Sequence, residues 1–344
     1  MSAATVLTGD WAKGFTTSYG RHLLATELTG IASYAVVTHP EPWALLESSL
    51  PHPPTIVIPA GDLTPSHLEH LVATLPAVDA VIGIGGGSAM DAAKWLHWRR
   101  SVPLYQVPSL PSVNACFTRM TALRDAGGVR YEGDAVPERV LVDFDLIASA
   151  PAALVRGGIG DVLSCHTARF DWQLATAAGR DQPWDEEAAT MSLAYLDELE
   201  DLAPSLAAGS DDGLRRLMEC HRDIGWRCHA LGHARFEEGS EHFFAYSFEE
   251  VTGRTIMHGE LVTLGVLIMS TLQGNDPGRP RRIAELAQMR TDLTELGVTW
   301  QEVEASLRRM PSFVDEQGLW FSQANDLVVD DGVLDAVRAA LRAS

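Results

Sequence analysis

Three residues far apart in the chain have the side-chain types that hold a catalytic metal: Asp161, His242 and His258. Each stands at or near a glycine in helical surroundings, in Gly-Gly-Ile-Gly-Asp161, Gly-Ser-Glu-His242 and His258-Gly-Glu. One carboxylate and two imidazoles leave a coordination position open for substrate, as in catalytic metal sites. The alternative is chance: the spacing is long-range, and 12 histidines give two of them room to fall near acids by accident. A second segment, Val81-Ile-Gly-Ile-Gly85-Gly86-Gly87-Ser88-Ala-Met-Asp91-Ala-Ala-Lys94, runs an apolar strand into three glycines and directly into a helix. Glycines let a ligand approach the backbone closely, and N–H groups at a helix start bind phosphate. The pattern is neither the common dinucleotide fingerprint nor a P-loop, so a tight turn without ligand is the competing reading. Asp91 and Lys94, three apart on one helix face, either order the cofactor end of this loop or form a surface ion pair of little energetic value.

The elements that must position these groups change character along the chain. From about residue 31 to 147, β-branched runs at Ser33–Thr38, Thr55–Pro59, Ala80–Ile84, Leu104–Val107 and Val140–Phe144 alternate with helical stretches such as Pro65–Leu75 and Ser88–Trp98. Apolar runs without strict alternation predict strands buried on both faces, hence a parallel sheet flanked by helices. Met120–Gly133 reads as an inserted hairpin turning at Gly127-Gly128. After Pro151 strand signals nearly vanish and Ala/Leu/Glu-rich helical patterns take over. The expected organisation is an α/β domain over 1–150 and an all-helical domain over 151–344.

Composition narrows the function class. Among 344 residues, 26 Lys+Arg against 46 Asp+Glu give a net charge of −20, which disfavours nucleic acid or an anionic membrane as partner. No stretch approaches the ~20 apolar residues of a membrane span, and no signal peptide is read at the N-terminus. The cysteines Cys116, Cys165, Cys220 and Cys228 show no paired short spacing and read as reduced packing thiols. A cytoplasmic protein acting on a small molecule is expected. Lys13 and Lys94 are the only lysines, so a site built from several lysines is excluded.

The serial order of these segments carries more than any one of them. Gly85-Gly86-Gly87-Ser88, Gly160-Asp161, Thr167-Ala168, Asp171-Trp172-Gln173-Leu174, Gly239-Ser240-Glu241-His242 and His258-Gly259-Glu260 together resemble the dehydroquinate-synthase-like and iron-containing alcohol dehydrogenase superfamily. Within it the chain is most similar to sn-glycerol-1-phosphate dehydrogenases, over about residues 30 to 275. The resemblance implies a dehydroquinate-synthase-like fold and a metal-dependent, NAD(P)-linked oxidoreductase interconverting a small alcohol or polyol with its ketone or aldehyde. It implies Asp161, His242 and His258 as ligands, usually for zinc, with nickel or iron as alternatives. It puts Gly85, Gly86, Gly87 and Ser88 under the pyrophosphate of NAD or NADP. Pro108, Ser109, Ser112 and Asn114 would line the nicotinamide and the reacting hydroxyl, and Thr118 would contact cofactor. Relatives are commonly homo-oligomers. After the first predicted strand come Thr38-His39-Pro40, with neither an acid for ribose hydroxyls nor an arginine for a 2′-phosphate, which leans the expectation to NAD.

Departures from the family pattern fall around the substrate. A second histidine one turn after His242 is replaced by Tyr246, a proton relay or simple packing. Asn114 replaces an aspartate, removing a possible acid/base. A Ser-Arg-Pro-Ala-Ser run is replaced by Ala234-Arg235-Phe236-Glu237-Glu238, whose added acids would repel a phosphorylated substrate. His166 is read as core or as a neighbour of the ligands. A sugar-phosphate cyclase using the same metal and NAD is the alternative activity. Against it stand Asp161 where cyclases carry Glu and Cys116-Phe117-Thr118-Arg119 where they carry Gly-Gly-Lys. A non-catalytic scaffold is a third reading, motivated by Asn114 and Tyr246 and opposed by the retained ligand types.

Overall fold

A computed structural model describes residues 15–125, 128–180 and 182–342. Two compact units emerge, one of residues 15–155 with 221–230, the other of residues 156–220 with 231–342.

The first unit is built on six strands, β1 (Thr17–Gly20), β2 (Tyr34–Thr38), β3 (Ile56–Pro59), β4 (Ala80–Gly85), β5 (Leu104–Pro108) and β8 (Arg139–Asp143), in the order β1-β8-β5-β4-β2-β3. Every pairing in it is parallel. β2 and β4 are buried along their whole length, which is why their sequences are unbroken apolar runs. Alternate residues serve opposite faces: Ala35, Val37 and Val81 pack with Leu68, Trp95 and Leu96, whereas Tyr34, Val36, Ala80, Ile82 and Ile84 pack with Leu24 and Leu141. The helices covering these faces include α1 (Leu23–Glu27), α2 (Pro40–Leu46), α3 (Pro65–Thr74) and α4 (Gly87–Arg100). At Gly83 an added Cβ would come within 2.9 Å of the Ala93 Cβ, so the missing side chain lets α4 lie directly on β4.

The predicted strands agree with the observed ones to within a residue at either end, and β1 is an addition. β6 (Thr121–Asp125) and β7 (Gly128–Glu132) form the antiparallel hairpin, and the Gly127 half of the expected turn lies outside the described residues. Two short helices, α5 (Phe144–Ala148) and α6 (Ala152–Arg156), follow β8.

The second unit is helical, and among the described residues no strand follows Asp143. Its helices are α7 (Ile159–Leu163), α8 (Cys165–Ala177), α9 (Glu186–Ala207), α10 (Asp211–Leu231), α11 (Ser240–Thr252), α12 (His258–Gln273), α13 (Gly278–Leu286), α14 (Trp300–Gln317) and α15 (Asp331–Arg342). Residues 221–230 of α10 group with the first unit, an arrangement that periodicity does not reveal. Gly225 makes it possible, because a Cβ there would lie 2.3 Å from the Phe117 carbonyl oxygen. Trp226 then meets Phe15 edge-on, with ring centroids 6.4 Å apart. Among the described residues no helix is long and apolar enough to cross a membrane.

Candidate functional site

Glycine contacts bring the three ligand-bearing helices of the second unit together. A Cβ on Gly160 would lie 2.1 Å from the Gly259 carbonyl oxygen, and one on Gly259 would lie 1.8 Å from that of Gly157. Farther along α12, a Cβ on Gly265 would lie 2.4 Å from the Glu241 carbonyl oxygen. Backbone therefore touches backbone beside Asp161, beside His258 and beside His242. As a result one ligand atom from each of Asp161, His242 and His258 lies within 4.8 Å of the others. The two imidazole centroids are 5.3 Å apart, and His258 Nε2 is 3.4 Å from Asp161 Oδ1.

The donors fit a divalent cation. Asp161 Oδ1 is buried and accepts no hydrogen bond from any described residue, a costly state for a carboxylate that lacks a cation. Burial, with the nearby Glu238 carboxylate, pushes the Asp161 carboxyl up to about 7, against the opposing pull of His242. For His242 burial acts downward, but the hydrogen bond and charge of Glu241, with Glu238 and Asp161, outweigh it and raise the imidazole to about 9. Protons held this way are what a cation displaces. One oxygen and two nitrogens suit zinc, nickel or iron alike.

Acids around the ligands complete the arrangement. Fully buried Glu241 places Oε1 2.9 Å from His242 Nδ1 and 2.7 Å from the Gly239 N–H, while Oε2 accepts from Thr167 Oγ1 at 2.7 Å. This contact assigns the Nδ1 proton toward Glu241 and leaves Nε2 as the donor atom for a metal. Asp171 accepts from the Ser240 N–H and hydroxyl at 2.8 and 2.6 Å and from the Gln323 N–H at 2.9 Å, so it fixes the start of α11. Burial, with Glu241, pushes its carboxyl up to about 6. Glu260 of the His-Gly-Glu segment accepts from Arg290 Nε and Nη2, at 2.6 and 2.7 Å. Glu241 and Asp171 carry no role in the sequence reading. The one available signal is an acid directly preceding a candidate histidine ligand.

Tyr246 lies one turn after His242, with ring centroids 6.1 Å apart, and its hydroxyl donates to Glu238 Oε1 at 2.9 Å. His166 stands outside the ligand cluster; its Nε2 lies 2.6 Å from the Asn275 carbonyl oxygen.

In the first unit the glycine loop sits at the carboxyl end of β4. Gly85 has φ of 150°, a conformation suited to glycine, and pairs with Pro108 across β4 and β5. The Ser109 N–H donates to the Gly85 carbonyl at 2.9 Å. Gly86 precedes α4 without a side-chain cap, and a Cβ on it would meet nothing nearer than Leu110 Cδ1 at 4.0 Å. Open space before an uncapped helix start fits a pyrophosphate. The strand order reverses between β2 and β4, and there His39 Nε2 lies 2.9 Å from Ser88 Oγ. Ser112 and Asn114 are partly exposed on the segment after β5.

Of the two readings of Asp91 and Lys94, the surface pair is excluded by their burial. Lys94 is 1% exposed and Asp91 5%, with Nζ 2.7 Å from the carboxylate. Lys94 also donates to Thr118 Oγ1 at 2.9 Å and to the Met120 carbonyl at 2.5 Å. The Asp91 side chain and the Thr118 hydroxyl are thus engaged in tying the segment after β5 to α4.

Comparison with known proteins identifies relatives by sequence and by fold. The sequence family described as iron-containing alcohol dehydrogenase matches residues 48–151. The glycerol-1-phosphate dehydrogenase [NAD(P)+] of Hyperthermus butylicus is 30% identical over 274 residues, 78% of each chain. That of Aeropyrum pernix is 30% identical over 264 residues, 75% of each. In fold the chain is similar to the glycerol dehydrogenase of Schizosaccharomyces pombe, with TM-score 0.70 at 21% identity over 95% of this chain and 90% of that one. It is also similar to an iron-containing alcohol dehydrogenase of Corynebacterium glutamicum, with TM-score 0.68 at 15% identity over 95% and 94%. The relatives named by sequence are dehydrogenases rather than cyclases. The chain belongs to the glycerol-1-phosphate dehydrogenase family of the iron-containing alcohol dehydrogenases, and it is a dehydrogenase.

Proposed function

We propose that this chain interconverts a small polyol and its ketone, with residues 1–150 binding NAD(P) and residues 151–344 binding metal and substrate. The observation that carries the reading is the Asp161, His242 and His258 set, the first two buried and the third partly exposed, with ligand atoms within 4.8 Å of one another. A divalent cation held there, zinc in our reading and nickel or iron otherwise, polarises the carbonyl or acidifies the alcohol. A nicotinamide dinucleotide, NAD in our reading, supplies the hydride acceptor or donor.

The chain's own residues do the rest. Glu241 holds His242 in one tautomer. The backbone at Gly85, Gly86, Gly87 and Ser88 binds the pyrophosphate, with Ser88 oriented by His39. Pro108, Ser109 and Ser112 line the nicotinamide, and the Asn114 amide hydrogen-bonds the reacting hydroxyl without exchanging its proton. Asp91 and Thr118 act on cofactor through the segment that Lys94 ties to α4. Tyr246, whose hydroxyl donates to Glu238, holds a proton beside the ligands and relays it. Four free cysteines support a cytoplasmic setting, and a homo-oligomer is proposed by resemblance to the family.

Purified protein loaded with zinc, nickel or iron is expected to oxidise NADH or NADPH stoichiometrically against small ketones. His258→Ala is expected to lose both metal, by elemental analysis, and turnover. Metal-loaded protein inert toward a broad carbonyl panel would overturn the reading, as would His258→Ala that keeps both.

A further inference from the structure

Glu238 lies beside the ligand set without belonging to it, and two contacts hold it there. On the α11 side its Oε1 accepts the Tyr246 hydroxyl at 2.9 Å. On the α7 side the Ser164 hydroxyl lies 2.6 Å from both the Asp161 and the Glu237 carbonyl oxygens, which ties the backbone just before Glu238 to the Asp161 helix. The Glu238 side chain is half-buried, and its charge acts on Asp161 and His242 together. Among the described residues, the charges that act most strongly on these two ligands are carboxylates and imidazole, with no Lys or Arg. Nor can lysine be supplied from elsewhere in the described chain, because Lys94 is buried in the other unit against Asp91, Thr118 and Met120.

We propose that Glu238, oriented by Tyr246, is a specificity-determining residue that selects an uncharged polyol and excludes its phosphate ester. This rests on the polyol-dehydrogenase reading above and gives it a substrate class. A carboxylate oxygen accepts charge-assisted hydrogen bonds from hydroxyl groups, which a polyol offers in number. A phosphate dianion offers no donor and meets the same oxygen with like charge, so one residue attracts one substrate class and repels the other. The named relatives are glycerol-1-phosphate dehydrogenases, so the proposal assigns this chain a substrate class different from theirs.

The test uses metal-loaded enzyme with dihydroxyacetone and dihydroxyacetone phosphate as carbonyl probes. The parent is expected to show the higher kcat/KM for the unphosphorylated ketone. Glu238→Gln, of equal size and without charge, should shift the ratio of the two kcat/KM values toward the phosphate by about 10–100-fold, mainly through a lower KM for the ester. Tyr246→Phe keeps the Glu238 charge but removes both its tether and the relay proton, so kcat/KM should fall for both ketones and fall further for dihydroxyacetone than for the phosphate. A readout independent of turnover is the thermal shift produced by glycerol 1-phosphate, expected to be larger in Glu238→Gln than in the parent. A parent that favours the phosphate ester, or a Glu238→Gln variant with unchanged ratio and unchanged thermal shift, overturns the proposal. Should neither ketone be reduced, the polyol reading fails on its own, and the thermal shift still decides the role of Glu238.

Discussion

Gly160→Ala puts the assembly of the metal ligands to the test with a single methyl group. The added Cβ would lie 2.1 Å from the Gly259 carbonyl oxygen and 2.7 Å from the Gly259 Cα. Ordinary contact between such atoms is about 3.5 Å, so α7 and α12 would have to part by roughly 1.4 Å. Both sides of the contact are backbone, and no rotamer change relieves it. Overpacking of this kind costs about 1–3 kcal/mol, and the upper figure is expected here. For a chain of this length about 3 kcal/mol corresponds to a fall in Tm of roughly 4 °C. Asp161 follows directly, and an ångström of displacement exceeds the ~0.2 Å tolerance of a metal–ligand distance. Metal affinity, measured by competition with a chromogenic chelator, should therefore fall at least about tenfold. Gly30→Ala is the control, since nothing lies within 4 Å of a Cβ there and its φ is not positive; it should stay within about 0.5 kcal/mol of the parent. A Gly160→Ala protein with parental Tm and parental metal affinity would show that the close backbone approach does not position the ligands.

Two more outcomes follow from the sites. Gly86→Val adds a side chain where the nearest atom is 4.0 Å away, so the fold should persist while the dissociation constant for NADH rises about tenfold or more, read by fluorescence titration; unchanged affinity counts against the loop as pyrophosphate site. Metal uptake should depend steeply on pH, because Asp161 at about 7 and His242 at about 9 are raised and hold protons below those values. Those protons are lost as pH rises, so affinity climbs with pH; taking both groups down from pH 8 to pH 6 should weaken binding by about 10²–10³-fold. Equal affinity at the two pH values would mean that the ligands are not protonated in the metal-free protein.

What the sequence makes legible is what local pattern can encode. β2 and β4 are apolar at every position because both their faces are covered, and they read correctly as parallel strands. β1 escapes because its four residues, Thr17–Gly20, are only half-buried and lack an apolar run. The Asp91–Lys94 spacing leaves the surface-pair alternative open for a related reason. The i,i+3 rule assumes an exposed face, but α4 is buried at every position from Ala89 to Leu96, so it carries no amphipathic signature. The ligand types at Asp161, His242 and His258 are visible as residues. Their convergence depends on Gly160, Gly259 and Gly265 touching backbone more than 20 residues away, which no window along the chain reports. Glu238 is legible in sequence as an acid beside Gly-Ser-Glu-His242, but the hydrogen bond that Tyr246 donates to it is not.

The return of residues 221–230 to the first unit makes the order of synthesis matter. Phe15 and Phe117, packed edge to face 6.1 Å apart, gain Trp226 and Gly225 as neighbours only from this late segment, and Arg119 meets His229 there at 3.1 Å. On a ribosome, the 75 residues from 155 to 230 take about 4–15 s to add, and through that interval the first unit has all its described strands and an uncovered aromatic patch. A gene fragment ending at residue 155 leaves that patch bare for good. The chain is therefore divisible in space but not by a single cut, and a self-standing version of its first unit requires a permuted or stitched sequence that carries residues 221–230 with it.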